Sequence, residues 1–146
     1  MTTTTLYLQI EGDMELEKKY IEHIKTHNEM IVNSKYPSSG FDIFYPSSCN
    51  KEIIGTIHKL DFKIKCMMVC NGVNTGFYMY PRSGLSLTPL RLANCVGIID
   101  AGYRNNITGY FDLLSSSCII KKYHRLVQIC SPNLKPFNVL LTNNIN

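Results

Sequence analysis

Three stretches of this chain carry more polar and glycine residues than strands and a core require. In Tyr80-Pro81-Arg82-Ser83-Gly84-Leu85-Ser86 a proline fixes the backbone approach and an arginine supplies a planar donor fork. The Ser83-Gly84 pair adds a hydroxyl and backbone N–H groups that a phosphate can approach. A surface turn with an ion-paired arginine would use the same residues. In the second stretch, Leu92 to Arg104, Asp100 follows the run Gly97-Ile98-Ile99 on a glycine-flanked hairpin, with Tyr103 three residues later. Such a hairpin can enclose a base-sized pocket in which a carboxylate orients or deprotonates a water and an aromatic ring stacks beneath a sugar or base. A tight hairpin with Asp100 in its turn is the plainer alternative. The third stretch, Lys122 to Ile129, reads as a strand with one polar residue, Gln128, among apolar neighbours. An edge strand whose glutamine faces water also accounts for it.

These stretches need elements to hold them. Leu6–Ile10 alternates as a short strand, and Asp13 can cap a helix with Glu15 and Glu17 at its positive end. Leu16, Tyr20, Ile21 and Ile24 form one apolar stripe on that helix, the only convincing one in the chain. From Lys35 the pattern turns to short β-rich runs: Phe41–Tyr45, Ile53–Ile57, Phe62–Val69, Phe77–Tyr80, Ile107–Leu113, Cys118–Lys121, Leu126–Ile129 and Phe137–Leu141. Breaks such as Asn71-Gly72 and Ser115-Ser116-Ser117 separate them. Many short strands with frequent turns indicate a β-sandwich or jelly roll. Thr2–Thr5 and Asn143–Asn146 are biased in composition and expected to fray.

At 146 residues the chain fits one domain, divided into an N-terminal strand and helix (1–34), a β core (35–141) and a frayed tail (142–146). No apolar run approaches the roughly 18 residues of a membrane span, and no basic-then-apolar leader opens the chain. A soluble intracellular protein is the expectation, with no membrane partner. Six scattered cysteines form no Cys-x-x-Cys pair, so buried free thiols are expected rather than a zinc or redox centre. His23 and His27 have helical spacing but no third ligand nearby, which reads as a solvated helix face. The formal net charge of +4 is mild and dispersed, which argues against nucleic acid as a partner and is compatible with a phosphate-bearing small molecule.

In order, these segments resemble the homotrimeric dUTPase family, most closely its members from large DNA viruses. Ser39-Gly40-Phe41-Asp42-Ile43 is similar to the family's first motif, Arg82-Ser83-Gly84 to the second, Asn94 through Tyr103 to the third, and Arg125-Leu126-Val127-Gln128 to the fourth. The resemblance runs from about Pro37 to Leu141. It implies an all-β, distorted jelly-roll (β-clip) fold carrying one N-terminal helix and assembling as a homotrimer. It also implies hydrolysis of dUTP to dUMP and pyrophosphate with Mg²⁺, at sites built between subunits. Asp100 would then be the catalytic carboxylate, orienting the attacking water and contacting the 3′-hydroxyl. Tyr103 would lie under the deoxyribose and exclude a 2′-hydroxyl. Asn94, Gly97, Ile98 and Ile99 would line the uracil slot, which Thr108 would close. Arg82, Ser83 and Gly84 would hold phosphates from a neighbouring subunit, Gln128 would contact the α-phosphate region, and Asp42 would act on the metal through water. A slot that hydrogen-bonds the base edge rejects cytosine, because buried polar groups would be left unpaired.

Three departures stand beside the match. Asn105 occupies a usual glycine position after Tyr103-Arg104, where asparagine tolerates positive φ. Tyr123 replaces a glycine two residues before Arg125, which implies a reshaped turn. The family's fifth motif, a Gly-rich arm that closes over the nucleotide, has no counterpart before Asn146. Loss of a cationic clamp in phosphoryl transfer can cost ~10³-fold in rate, so low activity is expected. A trimer that binds nucleotide or protein with little turnover is the alternative. A dCTP deaminase-like activity, which shares the fold, is disfavoured because no glutamate follows Glu52.

Overall fold

The computed structural model describes residues 3–46 and 51–146. Cys49, counted among the buried thiols, lies outside them. β1 (Thr4–Ile10) turns Leu6 and Leu8 fully inward. Asp13 then starts α1 (Met14–Asn33), its Oδ1 accepting the Leu16 N–H at 2.9 Å, with Glu15 and Glu17 in the first turn. The helix stops at Ser34, whose N–H reaches the Met30 carbonyl at 2.9 Å. Its buried face is Leu16, Tyr20, Ile24 and His27, while Ile21, expected in the stripe, is 51% exposed.

That face corrects the reading of the two histidines. His27 is buried and its Nε2 donates to the Phe137 carbonyl at 2.9 Å. His23 is half-buried, stacks on Phe41 with ring centroids 4.3 Å apart, and donates through Nε2 to the Asp42 carbonyl at 2.9 Å. Burial lowers the pKa of both rings. For His23, burial and then the nearby Arg125 charge bring it down to about 4. Helical spacing made the pair look solvated, but the residues beneath them are aromatic and apolar, and backbone carbonyls supply their polar partners.

The β core follows as β2 (Gly40–Phe44), β3 (Lys51–Ile54), β4 (Ile57–Asp61), β5 (Ile64–Cys70), β6 (Val73–Thr75), β7 (Phe77–Pro81), a 3₁₀ turn (Ser83–Leu87), β8 (Leu90–Leu92), β9 (Gly97–Ile99), β10 (Thr108–Leu113), β11 (Ser117–Ile120), β12 (Arg125–Cys130) and β13 (Asn138–Leu141). The described residues are mostly β with one α-helix, as expected. The strands form a β13-β1-β5-β6 sheet, a β2-β12-β7-β9 sheet, a β4-β10-β8 sheet and a β11-β3 pair. Between them lie alternating inward residues such as Ile64, Cys66 and Met68 of β5, Phe111 of β10, and Val127 and Ile129 of β12. Burial raises the Cys66 thiol pKa far above the ordinary value, as suits a packing thiol.

Where strand limits differ from expectation, the backbone shows why. Ile53–Ile57 is two strands, because Gly55 turns the chain at φ +104 between them. Asn71 and Gly72 (φ +50 and +81) make a two-residue hairpin from β5 to β6, whose short second strand was missed. The tail expected to fray is docked instead. The Thr142 N–H reaches Leu8 O at 2.9 Å, the Ile145 N–H reaches Gln9 Oε1 at 2.7 Å, and Ile145 is 1% exposed. One apolar side chain within the asparagine run is enough to anchor it. No α-helix among the described residues is long and apolar enough to cross a membrane.

Candidate active site

Among the described residues β9 is the outer strand of its sheet, paired only with β7 through Met79↔Gly97, Tyr78↔Ile98 and Phe77↔Ile99. The chain leaves β9 at Asp100, turns, and returns through Tyr103 to β10. Between β9, the turn and β10 lies a cavity of about 210 Å³. Asn94, Gly97, Ile98, Ile99, Asp100, Tyr103 and Thr108 all line it, joined by Met79, Gly109 and Tyr110. All seven residues expected at the base, sugar and catalytic positions therefore meet at one place.

The turn is held by its own side chains. The Tyr103 hydroxyl donates to Asn106 O at 2.7 Å, and Asn106 in turn donates to the Asp61 carboxylate at 3.2 Å. Arg104 donates to the carbonyls of Ala101 (2.9 Å), Tyr103 (3.0 Å) and Asn146 (3.1 Å). These contacts fix the Tyr103 ring and the direction of Asp100 without engaging the Asp100 carboxylate, which is exposed. Asn105 is not among the residues of positive φ. The hairpin survives without the conformation a glycine would supply there, and Cys95, at φ +64, takes the left-handed turn just before β9.

Met79, Gly109 and Tyr110 went unrecognised in the sequence. Met79 reads as an ordinary core residue of an alternating strand and is 2% exposed. Its role at the cavity floor follows only from register. A Cβ on Gly97 would lie 3.3 Å from Met79, and one on Gly109 would lie 2.9 Å from the Phe111 ring. Glycine at these two positions leaves room for the floor.

The remaining residues expected at the site lie on β2 and β12 and just after β7. Asp42, Gln128 and Tyr80 stand side by side in register across the three strands. Asp42 pairs with Arg82 (Nε to Oδ1, 2.8 Å) and with Arg125 (Nη1 to Oδ2, 3.2 Å). Two guanidiniums against one carboxylate leave a net charge of +1, and both arginines stay partly exposed. Gln128 is half-buried on a central strand and not on an edge, its amide donating to Pro81 O at 3.4 Å. Gly40 sits against that amide, where any β-carbon would collide with Gln128 Oε1. Arg82 and Ser83 open onto a separate cavity with Cys95 and Asp112, and Gly84 lies exposed in the 3₁₀ turn beside it. Tyr123 stands in the turn before Arg125. Tyr123 itself takes the left-handed conformation at φ +63, which costs about 1 kcal/mol or more. Its N–H bonds Tyr45 O at 2.9 Å and its ring packs on Phe44, which holds it there.

The cavity lined by Asp100 includes none of Asp42, Arg82, Ser83 or Gln128. Within one chain the base-sized pocket and the cationic cluster are therefore separate. Among the described residues no group of three or more His, Cys, Asp or Glu could cage a metal.

A family model described as dUTPase matches residues 26–145. No curated protein matches the chain. Among solved structures, a mutant dUTPase of Staphylococcus bacteriophage 80alpha with dUpNHpp is 20% identical, covering 67% of this chain and 71% of that one at a TM-score of 0.52. A mutant dUTPase from phage phi11 of S. aureus is 19% identical over 67% and 78% of the two chains, also at 0.52. These likenesses show a shared fold, and the match over most of the sequence shows more: the chain belongs to the dUTPase family of dUTP nucleotidohydrolases.

Proposed function

We propose that the base and deoxyribose of dUTP occupy the Asp100 cavity of one chain, while the phosphates lie on the Arg82–Asp42–Arg125 cluster of a neighbour in a homotrimer, and that water cleaves the α–β bond to give dUMP and pyrophosphate. The observation that carries this reading is the single cavity lined by all seven residues picked out for base, sugar and water. Because β9 is an outer strand, the N–H and C=O groups on its free edge have no strand partner among the described residues. They suit the complementary donors and acceptors of uracil. The tethered Tyr103 ring is a rigid floor for a sugar, and crowding there rejects a 2′-hydroxyl. Asp100, which pairs with no cation among the described residues, accepts a hydrogen bond from the water and directs its lone pair at the α-phosphorus. Gln128 donates to the α-phosphate oxygens as negative charge builds there.

The phosphate cluster fits a metal that arrives with its substrate better than one caged by protein. Both oxygens of Asp42 are taken by arginines, and Mg²⁺ in such sites is held mainly by phosphate oxygens and water. Asp42 would hold it through water, and the ion would supply positive charge against the polyphosphate. One phage phi11 structure is described as showing coordination of a structural Mg(II) ion.

Release of pyrophosphate from dUTP, dCTP, dTTP and UTP tests the reading. Turnover of dUTP well above the other three is expected. Equal rates for all four at high enzyme concentration would overturn it, and tight dUTP binding without turnover would leave a nucleotide-binding trimer in its place.

A further inference from the structure

We propose that helix α1 forms the outer wall of the phosphate subsite, with Lys19 and Thr26 contacting the distal phosphates of the bound nucleotide. The inference rests on the phosphate assignment above and adds to it a part of the chain that the family match does not reach. That match begins at residue 26, so most of α1, including Lys19 and His23, precedes it.

A cavity of about 510 Å³ runs between α1 and β2. Lys19, Glu22 and Thr26 face it from the helix, and Gly40, Asp42 and Arg125 from the sheet. It therefore opens onto the same Asp42 and Arg125 that carry the cationic cluster. The helix is placed there by specific bonds to β2. This strand is the outer member of its sheet, and its outward backbone groups are met by α1 side chains. The Tyr20 hydroxyl accepts the Phe44 N–H at 2.8 Å, and His23 donates to Asp42 O at 2.9 Å. Asp42 is thus held by arginines at its side chain and by α1 at its backbone.

The cavity wall favours an anion. Lys19 Nζ lies 5.1 Å from the Tyr123 ring, that ring packs edge-on against Phe44 at 6.2 Å, and the Arg125 guanidinium covers Phe44 at 5.1 Å. Lys122 Nζ lies 4.9 Å from the same Tyr123 ring and pairs with Glu15 at 2.8 Å, so three cations are spaced along one aromatic surface. Asp42 is neutralised by its arginines and the neighbouring Glu15 by Lys122, so among the described residues of the lining Glu22 is the acidic side chain that opposes Lys19 and the cluster's residual positive charge. A phosphate tail running from Arg82 past Arg125 would end at α1. Gly40 contributes backbone rather than a side chain to the floor, which leaves the path open.

The test uses the full chain and the variants Lys19→Met, Thr26→Ala and their combination, with Lys25→Met as a charge control on the same helix outside the cavity lining. Calorimetry measures binding of inorganic tripolyphosphate and of dUMP, and steady-state kinetics measures KM for dUTP. In the double variant tripolyphosphate binding should weaken and KM rise by about tenfold. Affinity for dUMP, the melting temperature and the behaviour of Lys25→Met should stay at wild-type values. Unchanged tripolyphosphate affinity and KM in the double variant, or an equal loss in Lys25→Met, overturns the α1 wall. If the wild-type chain neither binds dUMP nor hydrolyses dUTP, the underlying phosphate assignment is what fails.

Discussion

Replacing Gly40 by alanine tests how the proposed phosphate side of the site is packed. The backbone there is not in the left-handed region, so alanine is conformationally allowed. On chain entropy alone it would stabilise the protein by roughly 0.4–1 kcal/mol. Against this, the new methyl group would collide with Gln128 Oε1, lie 2.9 Å from Gln128 Cδ and press on Cys130 Sγ at 3.3 Å. Overpacking of this kind costs about 1–3 kcal/mol, and the half-buried amide also gives up its bond to Pro81 O. The balance is a net loss of about 1–2 kcal/mol, or a fall in Tm of roughly 2–8 °C for a chain of this size. Because Gln128 must swing out of register with Asp42, dUTP turnover should fall by about tenfold or more. Differential scanning calorimetry and a pyrophosphate-release assay on Gly40→Ala, Gln128→Ala and the double variant complete the cycle. Removing the amide makes room for the methyl, so the double variant should melt above Gly40→Ala. A Gly40→Ala protein that melts higher than wild type with full turnover would refute the packing argument.

Tyr20→Phe leaves the buried Phe44 N–H without its acceptor. It should cost about 1–3 kcal/mol in urea unfolding, and an unchanged midpoint would mean that α1 does not cap β2. The two α1 histidines give a pH dependence of definite sign. Their folded pKa values lie below the ordinary histidine value, with His23 at about 4, so the unfolded chain binds more protons as the pH falls. Their stabilisation is complete above the unfolded value of about 6.5 and is lost as the pH falls from there toward 4. Urea midpoints should decline between about pH 7 and 4.5, less steeply in His23→Gln, and a flat profile would count against the docked helix. Mixing Arg82→Ala with Asp100→Asn chains should recover part of the activity that each lacks alone, whereas no recovery would argue against a site shared between copies.

The legible parts of this protein were those with local causes. Asp13 and its two glutamates announced the helix, alternation announced β1, and the family resemblance marked every residue of the Asp100 cavity except Met79, Gly109 and Tyr110. What stayed hidden depends on packing between distant segments. His27 looked solvated because its partner, the carbonyl of Phe137, is 110 residues away. Ile145 looked frayed because nothing nearby in sequence shows the hollow that buries it. Tyr123 kept a turn that glycine would make easily, because contacts with Tyr45 and Phe44 outweigh the strain. The pairing of one aspartate with two arginines is equally silent in the sequence, since Asp42, Arg82 and Arg125 are joined only by the order of β2, β12 and β7.

The most direct measurement is the rate of dUTP hydrolysis by Asp100→Asn beside its affinity for dUMP. The substitution keeps the size of a side chain that makes no ion pair among the described residues, so the fold and the base pocket should be undisturbed. The rate should fall by roughly 10²-fold or more while dUMP binds about as tightly as before. A variant that hydrolyses dUTP at the wild-type rate would place the reacting water elsewhere and contradict the assignment of this cavity.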